Sequence, residues 1–244
     1  MRIVAFGYAL RIGAATLLAG CGAVPFDFAQ GRLAQGDMPP TGAMPQSRAT
    51  AGRADGSGFF LYSADCCGVL NAGGVAVYDP GQRHVVRRLV KGAHFPQLVR
   101  LDRTGTLYVL NGSNVGPGSV AVSEFDQGRE KISRRVGYFY WATTFALDRS
   151  NNLYVANCNT CTSSGADRQA KVLDSVTVYG FHQTKLLRTV TRGIHVPSAL
   201  AFDSAGNLYV SNAGFKGKDA SITVYGPGSS TPLRTITRGI KHPG

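Results

Sequence analysis

Cysteine is the residue type in this chain best suited to chemistry, and four of the five cysteines fall in two tight groups, Cys66-Cys67 and Cys158-Asn-Thr-Cys161. Such thiols can form disulfides, a four-thiolate metal site or a redox-active Cys-x-x-Cys pair. Adjacent Cys66 and Cys67 suit a metal poorly, because ligand pairs in tetrahedral knuckles want about two to four residues between them. No βαβ pattern surrounds Cys158 and Cys161, which weakens the redox reading. Disulfides are therefore the leading expectation. Other polar residues recur at intervals. Asn111, Asn157 and Asn212 end a repeated phrase, where an amide could bind a ligand or ion, or cap the loop that follows. His94 and His195 each stand two residues ahead of a proline, so metal ligation competes with simple loop repetition. Only Glu124 and Glu130 are glutamates.

The elements that must position these groups emerge from an internal repeat. Leu107-Tyr-Val-Leu-Asn111, Leu153-Tyr-Val-Ala-Asn157 and Leu208-Tyr-Val-Ser-Asn212 are three copies of one phrase, with Leu61-Tyr-Ser-Ala-Asp65 a weaker fourth. Tyr62, Tyr108, Tyr154 and Tyr209 are spaced 46, 46 and 55 residues apart. Ahead of the phrase lies an apolar strand and a tight turn in which Asp102, Asp148 or Asp203 precedes Gly or Asn, the chemistry of a hairpin. After it come an alternating strand, such as Val176-Thr-Val-Tyr179, and a basic one, such as Leu186-Leu-Arg-Thr-Val190. Four antiparallel strands per repeat make a propeller blade, so the fold class is all-β, with about four blades visible.

Leu-Ala-Phe-Asp-x-x-Gly-Asn-Leu-Tyr-Val, as it stands at residues 200–210, resembles the blades of NHL-type, six-bladed propellers, and the resemblance extends over residues 59–244. It departs from that pattern in having Asn111, Asn157 and Asn212 where aspartate is usual. The first blade lacks a convincing innermost strand, because Thr50 to Ser57 carries Gly, Asp and Arg. Thr237-Arg-Gly-Ile-Lys-His-Pro-Gly244 matches Thr191-Arg-Gly-Ile-His-Val-Pro-Ser198, the lead-in to another blade. The expectation is a six-bladed ring truncated at its C-terminus, since six blades need about 276 residues against 186 for positions 59–244. Four blades closing on themselves is the alternative.

The first 20 residues form a signal peptide: Arg2, then an apolar stretch broken by Arg11, then Ile12 to Gly20, too short to span a bilayer. Leu18-Ala19-Gly20-Cys21 resembles the lipobox of bacterial lipoproteins. That resemblance implies a diacylated Cys21 as mature N-terminus, and Gly22 after it implies the outer membrane. Residues 21–56, rich in Ala, Gly, Pro, Gln and Ser, read as a flexible tether, and 57–244 as the blades. A net charge of +12 favours anionic partners, while export argues against nucleic acid.

Blade three carries an inserted loop, Asn157 to Ser175, because Tyr154 to Tyr179 spans 25 residues where Tyr209 to Tyr225 spans 16. In a six-bladed ring the loops of blades one and three stand too far apart for a disulfide, so Cys158 should pair with Cys161 and present a tip containing Ser164, Arg168 and Lys171. Cys66 and Cys67 would form a vicinal bond or stay reduced. Trp141, Tyr138, Phe139 and Tyr140 make an aromatic knot, either a sugar platform or filling between blades. Arg87, Arg88, Arg134, Arg135, Arg188 and Arg234 fall on outer strands, as edge protection or an anionic-glycan or lipid rim.

Two functions compete. One is a noncatalytic binding or scaffolding module for protein, peptide or polysaccharide, with Asn111, Asn157, Asn212, His94, His195, Ser164, Arg168 and Lys171 on the binding face. The other is a metal-dependent hydrolase similar to gluconolactonase-like propellers. The inner strands Gln97 to Leu101, Thr143 to Leu147 and Ser198 to Phe202 hold no carboxylate to ligate a catalytic metal, which favours the first. No catalytic residue or cofactor motif is identified, and calcium or zinc binding stays open. Cys21→Ser should abolish acyl labelling and membrane fractionation of the expressed protein; unchanged labelling would contradict the lipobox reading.

Overall fold

The computed structural model describes residues 26–27, 32–33, 49–54, 58–65, 73–78, 84–112, 120–161, 173–214 and 219–241, with side chains from Phe60 onward. A short ladder joins β1 (Phe26–Asp27) to β2 (Arg32–Leu33). Four blades follow, each a sheet of four antiparallel strands in sequence order. Blade 1 is β3 (Ala49–Ala54), β4 (Gly58–Asp65), β5 (Gly74–Tyr78) and β6 (Val85–Leu89). Blade 2 is β7 (Pro96–Leu101), β8 (Leu107–Asn111), β9 (Val120–Phe125) and β10 (Arg134–Phe139). Blade 3 is β11 (Ala142–Leu147), β12 (Leu153–Asn157), β13 (Ser175–Tyr179) and β14 (Leu186–Val190). Blade 4 is β15 (Pro197–Phe202), β16 (Leu208–Asn212), β17 (Ser221–Tyr225) and β18 (Pro232–Ile236).

Blade 1 corrects one expectation. An innermost strand is present, in register from Ala49↔Ser63 to Ala54↔Gly58, within the stretch read from sequence as tether. Its composition, Ala-Thr-Ala-Gly-Arg-Ala, is poor in β-formers. The ladder is made by main-chain groups, however, and β4 offers an edge whose N–H and C=O groups need partners.

The repeated phrase is apolar on both sides because blades pack face to face. In each blade the phrase Tyr and the residue two later point towards the next blade, while the Leu and Val beside them point back. Tyr62, Ala64, Val75, Val77 and Leu89 of blade 1 meet Val99, Leu101, Leu107, Val109 and Phe125 of blade 2. Tyr108, Leu110, Val122 and Val136 of blade 2 meet Phe145, Leu153, Val155 and Tyr179 of blade 3. Tyr154, Ala156, Val176, Val178 and Val190 meet Leu200, Leu208, Val210 and Tyr225 of blade 4. Among the described residues no such cluster joins blade 4 to blade 1, so the four blades form an arc. β12 is buried along its whole length, whereas β16 alternates between buried and half-buried.

Burial pushes the phenols of Tyr108, Tyr154, Tyr179 and Tyr225 above their ordinary value of 10.0. The unfolded chain therefore loses phenolic protons first as pH rises. These four contribute stability that is fully present below about pH 10 and is lost as pH climbs towards their folded values. In an alkaline titration, phenolate absorbance from them should appear only together with unfolding. Ionisation near pH 10 in a protein whose circular dichroism is unchanged would contradict this burial.

Candidate functional site

The loops after the second strands and the lead-ins between blades share one side of the arc. Asn111 and Asn212 are buried there, and their amides are fully occupied. The His94 N–H donates to Asn111 Oδ1 at 2.9 Å, and Asn111 Nδ2 donates to the Gly92 carbonyl at 3.1 Å and Ser123 Oγ at 2.9 Å. Asn212 repeats this with the His195 N–H at 2.9 Å, the Gly193 carbonyl at 3.1 Å and Thr223 Oγ1 at 3.0 Å. The amide thus clamps the lead-in 17 residues upstream and does not cap the loop that follows. A sequence pattern shows local capping but not a partner brought near by the blade, which is why capping was the expectation. Phe95 and Val196, each just before a proline, are held at φ +47° and +51°, a left-handed conformation unfavourable for a β-branched residue. Their carbonyls accept from the Gly112 N–H at 2.8 Å and the Ala213 N–H at 2.9 Å. His94 and His195 act through their backbone, and their side chains are exposed.

Blade 3 breaks this pattern. Its lead-in, Tyr140-Trp141-Ala142, has no proline and no left-handed residue. Asn157 Nδ2 donates to the Val155 carbonyl and Thr177 Oγ1, both at 3.1 Å, but its buried Oδ1 accepts no hydrogen bond among the described residues. Immediately beyond it Cys158 and Cys161 are joined by a disulfide with Cα atoms 5.4 Å apart, as the spacing led one to expect. The Cys158 N–H donates to the Trp141 carbonyl at 2.9 Å. Across the base of the insertion lies buried Asp174, which accepts from the Thr160 N–H at 2.9 Å, the Thr160 hydroxyl at 2.8 Å and the Val196 N–H at 2.7 Å. One carboxylate thereby ties the insertion to the lead-in of blade 4. Sequence reasoning passed over Asp174. Its signal was that Gly73, Val120 and Ala220 occupy the matching place in the other blades. Trp141 and Leu173 are exposed beside this anchored base, at 46% and 66%. Phe139 instead packs edge-on against Tyr179 between blades, while Tyr138 is in solvent, so the aromatic knot is divided between core and surface. Cys21, Cys66, Cys67, Ser164, Arg168 and Lys171 lie outside the described residues.

Carboxylates on the opposite side serve the turns. Asp148 Oδ1 accepts the N–H groups of Ser150 and Asn152 at 2.8 and 2.9 Å, and Asp102 and Asp203 do the same for their own hairpins. Gly105, Asn151 and Gly206 take the positive φ such turns demand. Glu124 is the exception among the acids. It fills a core position held by Val77, Val178 and Val224 in the other blades, and each of these four residues faces an arginine across the sheet. Buried Glu124 accepts from Arg134 Nη1 at 2.9 Å and is 3.0 Å from His182 Nδ1 of blade 3. Arg188, facing a valine, instead donates to the Tyr154 hydroxyl at 2.8 Å. Having lost that donor, the Tyr108 hydroxyl has no hydrogen-bond partner among the described residues, and burial, then the Glu124 and Asp102 carboxylates, raise its pKa far above the usual range. All six arginines lie on the outermost strands as expected, but Arg87, Arg134 and Arg188 turn inwards between blades, so the expected role as exposed edge protection or a charged rim is left to Arg88, Arg135 and Arg234, which are exposed. Among the described residues no three His, Cys, Asp or Glu side chains come together as a metal site.

No protein-family model and no curated protein matches the chain. Similar solved structures are propeller-like. Hydrazine synthase of Kuenenia stuttgartiensis aligns at 15% identity and TM-score 0.53, over 73% of this chain and 58% of that one. The WD40 β-propeller domain of Doa1 aligns at 11% identity and TM-score 0.52, over 82% and 64%. A protein of unknown function from Bacteroides caccae aligns at 12% identity and TM-score 0.54, over 91% and 72%. The chain thus spans 58% and 64% of the first two. Likeness at this level establishes a β-propeller-like fold and no more.

The unequal clamps lead to a direct comparison. Asn111→Ala or Asn212→Ala should each cost about 2–4 kcal/mol in urea unfolding, because a buried lead-in loses several hydrogen bonds at once. Asn157→Ala should cost about 1–2 kcal/mol less. Equal losses at all three positions would contradict the clamp geometry.

Proposed function

We propose that this chain is a noncatalytic binding module of the cell envelope, an NHL-like propeller that recognises a protein, peptide or polysaccharide through its loop face. Cys21 carries the lipid that holds it at the outer membrane, and the residues after it let the blades stand off the bilayer. The observation that carries the reading is the base of the blade 3 insertion. Its first end is closed by the Cys158–Cys161 disulfide and its second is fixed by Asp174, while Trp141 and Leu173 stay exposed alongside. An exposed indole beside that anchored base offers a flat apolar surface for a sugar ring or side chain. Arg168 and Lys171 give that loop a basic tip, in keeping with an anionic glycan or acidic peptide. The repeated aspartates, tied to turn amides, and Asn111 and Asn212, tied to the lead-ins, leave those groups little capacity for a hydrolytic metal.

Trp141 is the sole tryptophan, so its fluorescence reports on this site alone. Titration with soluble anionic polysaccharides and acidic peptides should shift or quench that emission. Deleting residues 165–171 should remove the response while leaving the thermal transition unchanged. Binding that persists after the deletion would contradict recognition by the insertion.

A further inference from the structure

Among the described residues, blade 3 is the one blade whose loop base is closed by a covalent bond, and that bond encloses the residues that do the holding. Cys158 occupies the place of Gly112 and Ala213. All three N–H groups donate to the carbonyl of the residue just before the first strand of their own blade, Trp141, Phe95 or Val196. This anchor belongs to the repeat and needs no disulfide. Cys158 is fully enclosed, whereas Cys161 is half-buried. The main-chain bond between them, from the Cys161 N–H to the Cys158 carbonyl, is long at 3.4 Å. The disulfide is therefore what holds Asn159 and Thr160 in place.

Both enclosed residues grip the chain as it returns to β13. Asn159 Nδ2 donates to the Leu173 carbonyl at 2.6 Å, and Thr160 gives its N–H and its hydroxyl to the two oxygens of Asp174 at 2.9 and 2.8 Å. Asp174 is 4% exposed and takes one further hydrogen bond among the described residues, from the Val196 N–H at 2.7 Å. Two of its three donors thus come from inside the ring, and a buried carboxylate that loses its donors is destabilised. Val120 and Ala220 stand at this place in blades 2 and 4, where no such grip is possible. The Thr160 hydroxyl also lies 3.9 Å from Cys158 Sγ. A thiolate at Cys158 would compete with Asp174 for that one proton.

We propose that the Cys158–Cys161 disulfide is a redox-sensitive clasp: a dithiol that opens it frees Asp174 from Thr160 and loosens the lead-in to blade 4 at Val196, while the blades stay folded. A thiolate of the dithiol attacks Cys161 Sγ, the more accessible sulfur, and Cys158 leaves as a thiolate that takes up a proton. The second thiol of the reductant then attacks its own sulfur in the mixed disulfide and releases Cys161 as a thiol. Two electrons and two protons pass to the protein, and the dithiol becomes a disulfide. Closing a ring across a sequence separation of 3 constrains the unfolded chain little, so the fold does not depend on the bond. The clasp regulates the same loop base to which binding is assigned and rests on that assignment for its consequence, but its structural readout needs no ligand, so the two fail separately.

Residue-resolved amide hydrogen exchange of the full chain, with and without dithiothreitol, tests this. Reduction should speed exchange at the Thr160 and Val196 amides by about tenfold or more and leave those of Gly112 and Cys158 within about twofold. Circular dichroism should not change, and the thermal transition should move by no more than a few degrees. Cys158→Ala combined with Cys161→Ser puts at the first position the residue type of Ala213 in blade 4. That variant should exchange like the reduced parent whether or not dithiothreitol is present, which separates this pair from Cys66 and Cys67. Brief reaction of the parent with glutathione, quenched by acid, should place the mixed disulfide on Cys161. Exchange at Thr160 and Val196 that ignores reduction would overturn the clasp. So would unfolding on reduction, an effect of dithiothreitol that persists in the double variant, or a mixed disulfide on Cys158.

Discussion

Each blade is a sheet with two faces to bury, and this constraint governs most of what the chain does. A sheet covered on both sides cannot alternate apolar with polar residues, so the second strands of blades 2 and 3 are apolar up to their closing asparagine, and their two faces belong to different interfaces. Tyr154 and Val155 are neighbours in sequence, yet one packs against blade 4 and the other against blade 2. Each apolar cluster is shared between two neighbouring blades, so the stability of one blade is coupled to that of the next.

Polar groups are admitted to this packing where they do a specific mechanical task. The repeated asparagine fixes the angle at which the chain leaves one blade for the next, holding Phe95 and Val196 in a backbone conformation they would not otherwise adopt. Glu124 binds blade 2 to blade 3 through His182, at the expense of a partner for Tyr108. Asp174 anchors the insertion to blade 4. Each of these contacts crosses a boundary between elements far apart in sequence, so the described residues on the loop side are held by the core beneath them.

The repeat made much of this legible in advance. Strand order, the Asp turns, the excess residues of blade 3 and the pairing of Cys158 with Cys161 follow from period, turn chemistry and distance, which are local or additive properties of a sequence. What escaped was set by partners in space. Ala49–Ala54 became a strand because β4 needed an edge partner, despite a composition that argues against it. Asn111 and Asn212 found acceptors and donors on the preceding lead-in, and Arg87, Arg134 and Arg188 turned inwards because phenyl, carboxylate and phenol groups awaited them between the blades. Asp174 was detectable only as the residue that breaks the repeat.

The packing account is tested most directly by one residue type at one register position in two environments. Tyr154 is covered by blade 4, while Tyr209 faces outwards from it. Chemical unfolding of Tyr154→Ala and Tyr209→Ala compares them at one register position of the blade. Burial between blades predicts a loss of about 3–5 kcal/mol for Tyr154→Ala and less than half of that for Tyr209→Ala. Equal losses at the two positions would contradict the claim that contact between blades, more than the blade itself, holds this fold together.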